Sequence, residues 1–209
     1  MKPLRLIAAM MMGLAVSACA TPDTASRNAP LEAPERVAPI ALDVQSVTVS
    51  VPRTLEVSEK NRYYPGGDIV WRGDAPGNRH AQVQAMVQAA MELGTADMTL
   101  GLPVAVEVEI TRFHALTEKA RYTVGGVHDI EFILTLKDPV SGAIIAAPRE
   151  IKADLKAFGG TQAIQAEQRG QTQKVRITGH LAEVIAAELN EPGSFQSANL
   201  GIMGLINDL

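Results

Sequence analysis

The chain carries one thiol, four histidines and 23 carboxylates, so nucleophilic, metal-ligating and acid–base chemistry can each be weighed from residue spacing. His80, His114, His128 and His180 match no His-x3-His, Cys-x2-Cys or HExxH arrangement, the spacings that bring two ligands to one metal. No metal site and no dissociable cofactor are expected. Glu107 and Glu109 sit two apart and so share one face of a strand, superficially an acid pair, but alternation with valines makes a solvated face the better reading. There is no G-x-S-x-G elbow, no P-loop and no G-x-G-x-x-G turn. No catalytic residue is assigned, and a non-enzymatic protein is expected.

Two polar-aromatic runs are better suited to specific binding. Tyr63 to Asp74 (YYPGGDIVWRGD) and Arg121 to Asp129 (RYTVGGVHD) hold all three tyrosines and the single tryptophan of a chain that is only 4% aromatic. Aromatics and arginine dominate binding hot spots, and glycines let backbone approach a ligand. Tyr63, Tyr64, Asp68, Trp71, Arg72, Arg121, Tyr122 and His128 are therefore the candidate binding residues. The competing reading gives the glycines to turns and the aromatics to the rim of the core.

The thiol has its own context. Lys2 and Arg5 precede an apolar run from Leu6 to Val16, and Val16-Ser17-Ala18-Cys19 follows. The run is roughly 16 Å long as helix, short of the roughly 20 residues a membrane span needs, and reads as an export signal over residues 1–18. The tetrapeptide resembles a lipobox, which implies cleavage between Ala18 and Cys19, a diacylglyceryl thioether on Cys19 and acylation of the new amino group. Two or three chains at roughly 0.8 kcal/mol per buried CH₂ anchor stably. The expected location is the cell envelope, lipid-anchored and facing the periplasm, and Ala20 rather than Asp after the cysteine favours the inner leaflet of the outer membrane.

Cleavage would take 18 of the 209 residues and two of the 19 basic ones, leaving 191 residues with 17 basic against 23 acidic side chains, a formal charge of −6. An acidic balance argues against nucleic acid as partner. Pro22, Pro30, Pro34 and Pro39 interrupt a segment with no apolar period, so residues 19–41 read as an unstructured leash.

Positioning elements follow from periodicity over residues 42–193. Val47, Val49 and Val51 alternate with polar residues as a half-buried strand ended by Pro52. Val83, Met86, Val87, Ala90 and Leu93 recur at helical spacing between an Asn78 cap and Gly94 as C′. Val104 to Ile110 and Ile130 to Leu136 alternate as two strands. Asp138 to Gly142 forms a hairpin loop, and the chain returns past Pro148 into Ile151 to Ala157. Gly159-Gly160 breaks the strand, residues 161–170 are left undecided, and Val175, Thr178, Leu181, Ala182, Val184, Ile185 and Leu189 form a second helical stripe. The fold class is α+β: an antiparallel or mixed sheet of about four strands, ordered strand, helix, three-strand meander, helix, with both helices on one face. Residues 194–209 end in the apolar Leu200 to Ile206, read either as a terminal helix docking on the domain or as a partner- or membrane-touching tail.

With Val49 to Pro52, the two aromatic runs, Arg112-Phe113-His114, Ala157 to Thr161 and Gly170 to Ile177, the chain resembles a family of uncharacterised lipoproteins from marine and phototrophic alphaproteobacteria. The resemblance covers nearly the whole chain and implies class and location, with no activity or catalytic residue. The expected function is a membrane-anchored binding or scaffolding module with an envelope protein as partner, its oligomeric state open. The alternatives are an accessory lipoprotein subunit of an envelope transport or secretion system, and an envelope glycan- or lipid-acting enzyme using His128, Asp129 or the glutamates.

Overall fold

The computed structural model describes residues 40–196, which belong to one unit beginning at Pro39. The signal, the Cys19 lipobox, most of the leash and residues 197–209 lie outside the described residues. Strand β1 (Leu42–Ser50) is followed by a long excursion and the two-residue β2 (Ile69–Val70), then helix α1 (Arg79–Thr95), β3 (Leu102–His114) and the single turn α2 (Glu118–Arg121). Next come β4 (Gly126–Lys137), β5 (Ile144–Lys152), β6 (Leu155–Ala157), α3 (Gly160–Gln168) and α4 (Gln173–Asn190).

The fold is α+β with a mixed six-stranded sheet. Its order is β1-β3-β4-β5, with β1 parallel to β3 and the other two pairs antiparallel. The extra two strands are continuations rather than new lanes. β2 pairs with the end of β3 in line with β1, and β6 pairs with the start of β4 in line with β5. Four lanes thus carry six strands, because the loop over residues 51–68 and the break at Ala153-Asp154 interrupt the outer two.

Alternation divides the sheet into a dry and a wet face. Val104, Val106, Val108, Ile110, Ile130, Phe132 and Leu134 join Val83, Met86, Val87, Ala90, Met91, Ile177, Leu181, Val184 and Ile185 in one core under α1 and α4. Glu107 on the opposite face reaches Lys137 at 2.6 Å, and Glu131 reaches Lys152 at 2.9 Å. Asn78 caps α1 by accepting from Ala81 N, Thr172 caps α4, and Asp138 closes the hairpin by accepting from Val140 N and Ser141 N.

Two expectations need correction, and one undecided stretch is resolved. Gly94 is not a C′ residue: α1 runs to Thr95, and a Cβ on Gly94 would stand 2.3 Å from the Ala182 carbonyl, so this glycine lets α1 and α4 touch backbone to backbone. Leu93 and Val175 are 61% and 48% exposed while Met91 and Ile177 are buried, because each helix faces the sheet a little round from the stripe the sequence suggested. Residues 160–168 form a separate helix, cut from α4 by Gly170 at φ +76°.

The outer edge of β1 is closed by side chains. Gln88 Nε2 donates to Val47 O and its Oε1 accepts from Val49 N, both at 2.9 Å, while Gln84 Nε2 donates to Val49 O at 2.9 Å. Two helix amides thus replace a missing neighbour strand and deny this edge to other chains. Gln88→Leu would strand a donor and an acceptor, and urea unfolding should show a loss of about 1–3 kcal/mol; a loss under a few tenths would mean water replaces the amide.

Candidate functional site

The parallel β1/β2 lane and the antiparallel start of β4 leave a notch on the wet face where β3 ends. The excursion over residues 51–68 and the α2 segment close over it, leaving a groove of about 870 Å³. Tyr63, Tyr64 and Gly67 form one wall, Leu116, Thr117 and Val124 the other, and Arg112, His114, Asp129 and Glu131 the floor. Tyr64 and Val124 are 72% and 67% exposed at its rim.

Each wall is locally fixed. Glu56 N donates to Asp68 Oδ2 at 2.7 Å, and Ser58 Oγ donates to Pro65 O at 2.8 Å, which folds the excursion back on itself. The walls are tied together by Thr117 Oγ1 donating to Arg62 O and Lys119 N donating to Asn61 Oδ1, each at 2.8 Å. Arg72 is the hub: its Nε pairs with Glu118 of α2, and its Nη1 reaches Glu59 O at 2.9 Å and Glu59 Oε2 at 3.2 Å. Glu59 also pairs with buried Arg79 at 2.6 Å, and hydrogen bonding from Arg79 holds the Glu59 carboxyl below the usual range.

Two of the three glycine doublets, Gly125-Gly126 and Gly159-Gly160, meet behind the second wall. A Cβ on Gly159 would stand 2.2 Å from Gly125 N, and Gly125 itself has φ +75°, a left-handed value that a side chain would strain. The groove wall at residues 124–126 is therefore seated backbone against backbone on the strand-to-α3 turn.

The floor is polar but internally matched. Arg112 Nε donates to Asp129 Oδ2 at 2.5 Å, Glu131 is paired with Lys152, and the His114 ring contacts Gly67 O through Nε2 at 2.8 Å. Burial and then the neighbouring Arg112 charge push the His114 imidazole below its ordinary value, so at neutral pH it is uncharged and Nε2–H is the donor to that carbonyl. At the nearby β5–β6 break, burial first, then the Asp129 charge, raises the Asp154 carboxyl to about 6.

Of the candidate binding residues, Tyr63 and Tyr64 line the groove. Asp68 is spent on the Glu56 amide and supports the wall from behind. Trp71 is fully buried, edge-on to Phe113 at 6.0 Å with Nε1 donating to Asp74 at 2.8 Å, and so belongs to the core. Arg72 stitches the walls. Arg121 pairs with Glu167 at 3.4 Å and lies 4.7 Å from the centre of the Tyr122 ring, and Tyr122 bonds Glu167 at 3.1 Å, a cluster that does not line the groove. His128 is 1% exposed on the dry face, and burial above all, helped by Arg176, Arg121 and His180, drives its imidazole down to about 3.

The second run thus does contribute to the groove, but through Val124 to Val127 and Asp129 rather than through its aromatic and basic residues. Arg112, His114 and Glu131 were missed, although a signal existed: alternation along β4 puts Val127, Asp129 and Glu131 on one wet face. Cys19 and Ala18 lie outside the described residues. Among the described residues, no three His, Cys, Asp or Glu side chains gather as a ligand set, and no helix is long and apolar enough to cross a membrane.

No curated protein matches the sequence. Among solved structures, a Xanthomonas campestris protein of the DUF330 family is similar at 13% identity and TM-score 0.44, covering 84% of this chain and 93% of that one. A Caulobacter crescentus protein described as a candidate lipoprotein is similar at 12% identity and TM-score 0.34, over 56% of this chain and 83% of its own. A further uncharacterised protein gives 15% identity and TM-score 0.37, over 74% and 94%. These likenesses are too distant to carry function. The family model that matches residues 42–205, most of the chain, is that of a family of unknown function, DUF6778, and the chain belongs to it.

Proposed function

We propose that this chain is a lipid-anchored envelope protein that captures an uncharged ligand or an extended segment of an envelope partner in the groove at the end of β3, and that it is not an enzyme. The observation that carries the reading is the groove itself: about 870 Å³, with exposed Tyr64 and Val124 at its rim and a floor whose charges are already paired. A floor of matched charges offers no net attraction to an ionic ligand, whereas aromatic and aliphatic walls favour apolar contact. His114, Asp129 and Glu131 do share this floor, as an acid–base enzyme would require. Each is committed, however: His114 to the Gly67 carbonyl, Asp129 to Arg112 and Glu131 to Lys152. The anchor rests on the lipobox ending in Cys19, and Ala20 after it favours the outer membrane's inner leaflet.

A photo-crosslinking amino acid placed at Tyr64 or Val124 in living cells should give discrete adducts, while the same group at Thr48, exposed on β1, should give none. Equal profiles at all three positions would remove the groove from the account. Intact mass of the membrane-extracted product should show acyl chains on a polypeptide beginning at Cys19; a free thiol there would end the anchoring proposal.

A further inference from the structure

The groove at the end of β3 has no open strand edge for another chain to join. At His114, β3 is paired with β2 on one side and with β4 on the other. The outer side of β4 is taken first by β6 and then by β5. Even Ile130, opposite the break between those two strands, is filled: its N donates to Asp154 Oδ1 at 3.3 Å and its O accepts from Ala153 N at 2.8 Å. Along the walls, Asp68 N and Ile69 N donate to Glu56 O, and Ala115 N donates to Val70 O. An extended peptide joins a sheet through a row of free backbone N–H and C=O groups, and here that row is used up. Recognition in this groove therefore falls to side chains.

Those side chains present a mixed surface. Arg112 reaches Asp129 through Nε at 2.5 Å and His114 Nδ1 through Nη2 at 3.4 Å. Arg112 Nη1 and Asp129 Oδ1 make no hydrogen bond among the described residues, so the floor keeps a donor and an acceptor on two side chains that already neutralise each other. Above them the Tyr63 ring is held in place, with Lys119 Nζ 4.7 Å from its centre and Thr123 Oγ1 3.4 Å from its hydroxyl. Tyr64 follows it, largely exposed. The ligand that suits such a surface has C–H faces to lie on aromatic rings, groups that both donate and accept hydrogen bonds, and no net charge. Hydroxyls on a carbon ring combine all three.

We propose, on the reading of this groove as the capture site, that it binds a neutral saccharide, with C–H faces against Tyr63 and Tyr64 and hydroxyls on Arg112 and Asp129. At about 870 Å³ the groove lies within the range of about 300–1,000 Å³ that takes a drug-sized molecule, and a short oligosaccharide is of that size. An ion would match one of the two floor groups and be repelled by the other. An aliphatic chain would bury both without partners, a cost that a hydroxyl avoids.

The test uses the full chain in mild detergent and calorimetric titration with tetramers of N-acetylglucosamine, β1,4-linked glucose and α1,4-linked glucose. Each is used with a free and with a methylated reducing end, the second standing for a sugar carried on a lipid or a polymer. At least one tetramer should bind saturably; binding of free-ended forms alone assigns a free oligosaccharide, and binding of methylated forms assigns a sugar of a larger glycan. Tyr64→Ala should weaken binding about tenfold and Tyr64→Phe less than twofold, because stacking needs the ring and not its hydroxyl. Tyr64 is exposed, so its truncation leaves the fold intact. A tenfold rise in salt should change the affinity less than twofold, since the sugar carries no charge. Binding of no tetramer, binding indifferent to Tyr64→Ala, or a steep salt dependence overturns the proposal. Photo-crosslinking at Tyr64 and Val124 distinguishes its failure from that of the capture site: adducts that are proteins overturn the saccharide and keep the groove, whereas no adduct at either position removes the groove itself.

Discussion

Replacing Trp71 by alanine is expected to lower the unfolding free energy by about 3–5 kcal/mol, the usual cost of emptying a large aromatic site in a core. The side chain is wholly buried, meets Phe113 edge to face, and donates its indole proton to Asp74, which Lys174 of α4 also holds at 2.9 Å. Its removal leaves a void between β2, β3 and the loop that follows, and deprives Asp74 of a donor. The check is urea unfolding by circular dichroism. A loss below 1 kcal/mol, with ligand capture abolished, would return Trp71 to the binding surface and contradict its burial.

Acid should unfold the protein through His128, and Asp154 should mask the effect in part. An imidazole that titrates at 6.5 when free and about 3 in the fold leaves the unfolded chain binding the extra proton, so stability falls as pH drops between these values. At about 1.36 kcal/mol per unit, the loss from pH 6.5 to 5 is about 2 kcal/mol. His114 and His180, lowered chiefly by burial, act in the same sense. Asp154 acts oppositely: its folded value, raised from 3.8 to about 6, makes stability rise as pH falls through that window, by an amount reduced by solvent screening of a half-exposed carboxyl. Asp154→Asn should therefore show the steepest loss between pH 6.5 and 5, His128→Leu the shallowest, and the wild type lie between. Identical slopes in all three would mean that neither group titrates abnormally.

The strands and helices were largely legible because a one-face-buried sheet writes its period into the chain. Burial alternates residue by residue over Val104 to Ile110 and Ile130 to Leu134, and Asn78 and Asp138 act as their types suggest. What the sequence obscured were features set by partners distant along the chain. Gly94 looked like a helix stop, but only the crossing of α4 reveals that it makes room for the Ala182 carbonyl. Nothing local marks Gln84 and Gln88 as caps of a strand edge; that role is set by β1 lying beside them.

The site was half legible for the same reason. Local composition pointed to two aromatic, glycine-rich runs, and both do border one groove. Composition could not say which way each side chain turns. Trp71 and His128 point to the dry face, while the floor comes from Arg112, His114 and Glu131, charged or polar residues ordinary in any wet-faced strand.

The parallel registration of Leu42 with Leu102 puts the point where the polypeptide enters at the beginning of β3, whereas the cleft is assembled around His114 at its finish. Twelve strand residues, about 40 Å, separate the two. The strand thus separates its two duties lengthwise: one end receives the incoming polypeptide and the other builds the mouth, so changes at either end should leave the other undisturbed.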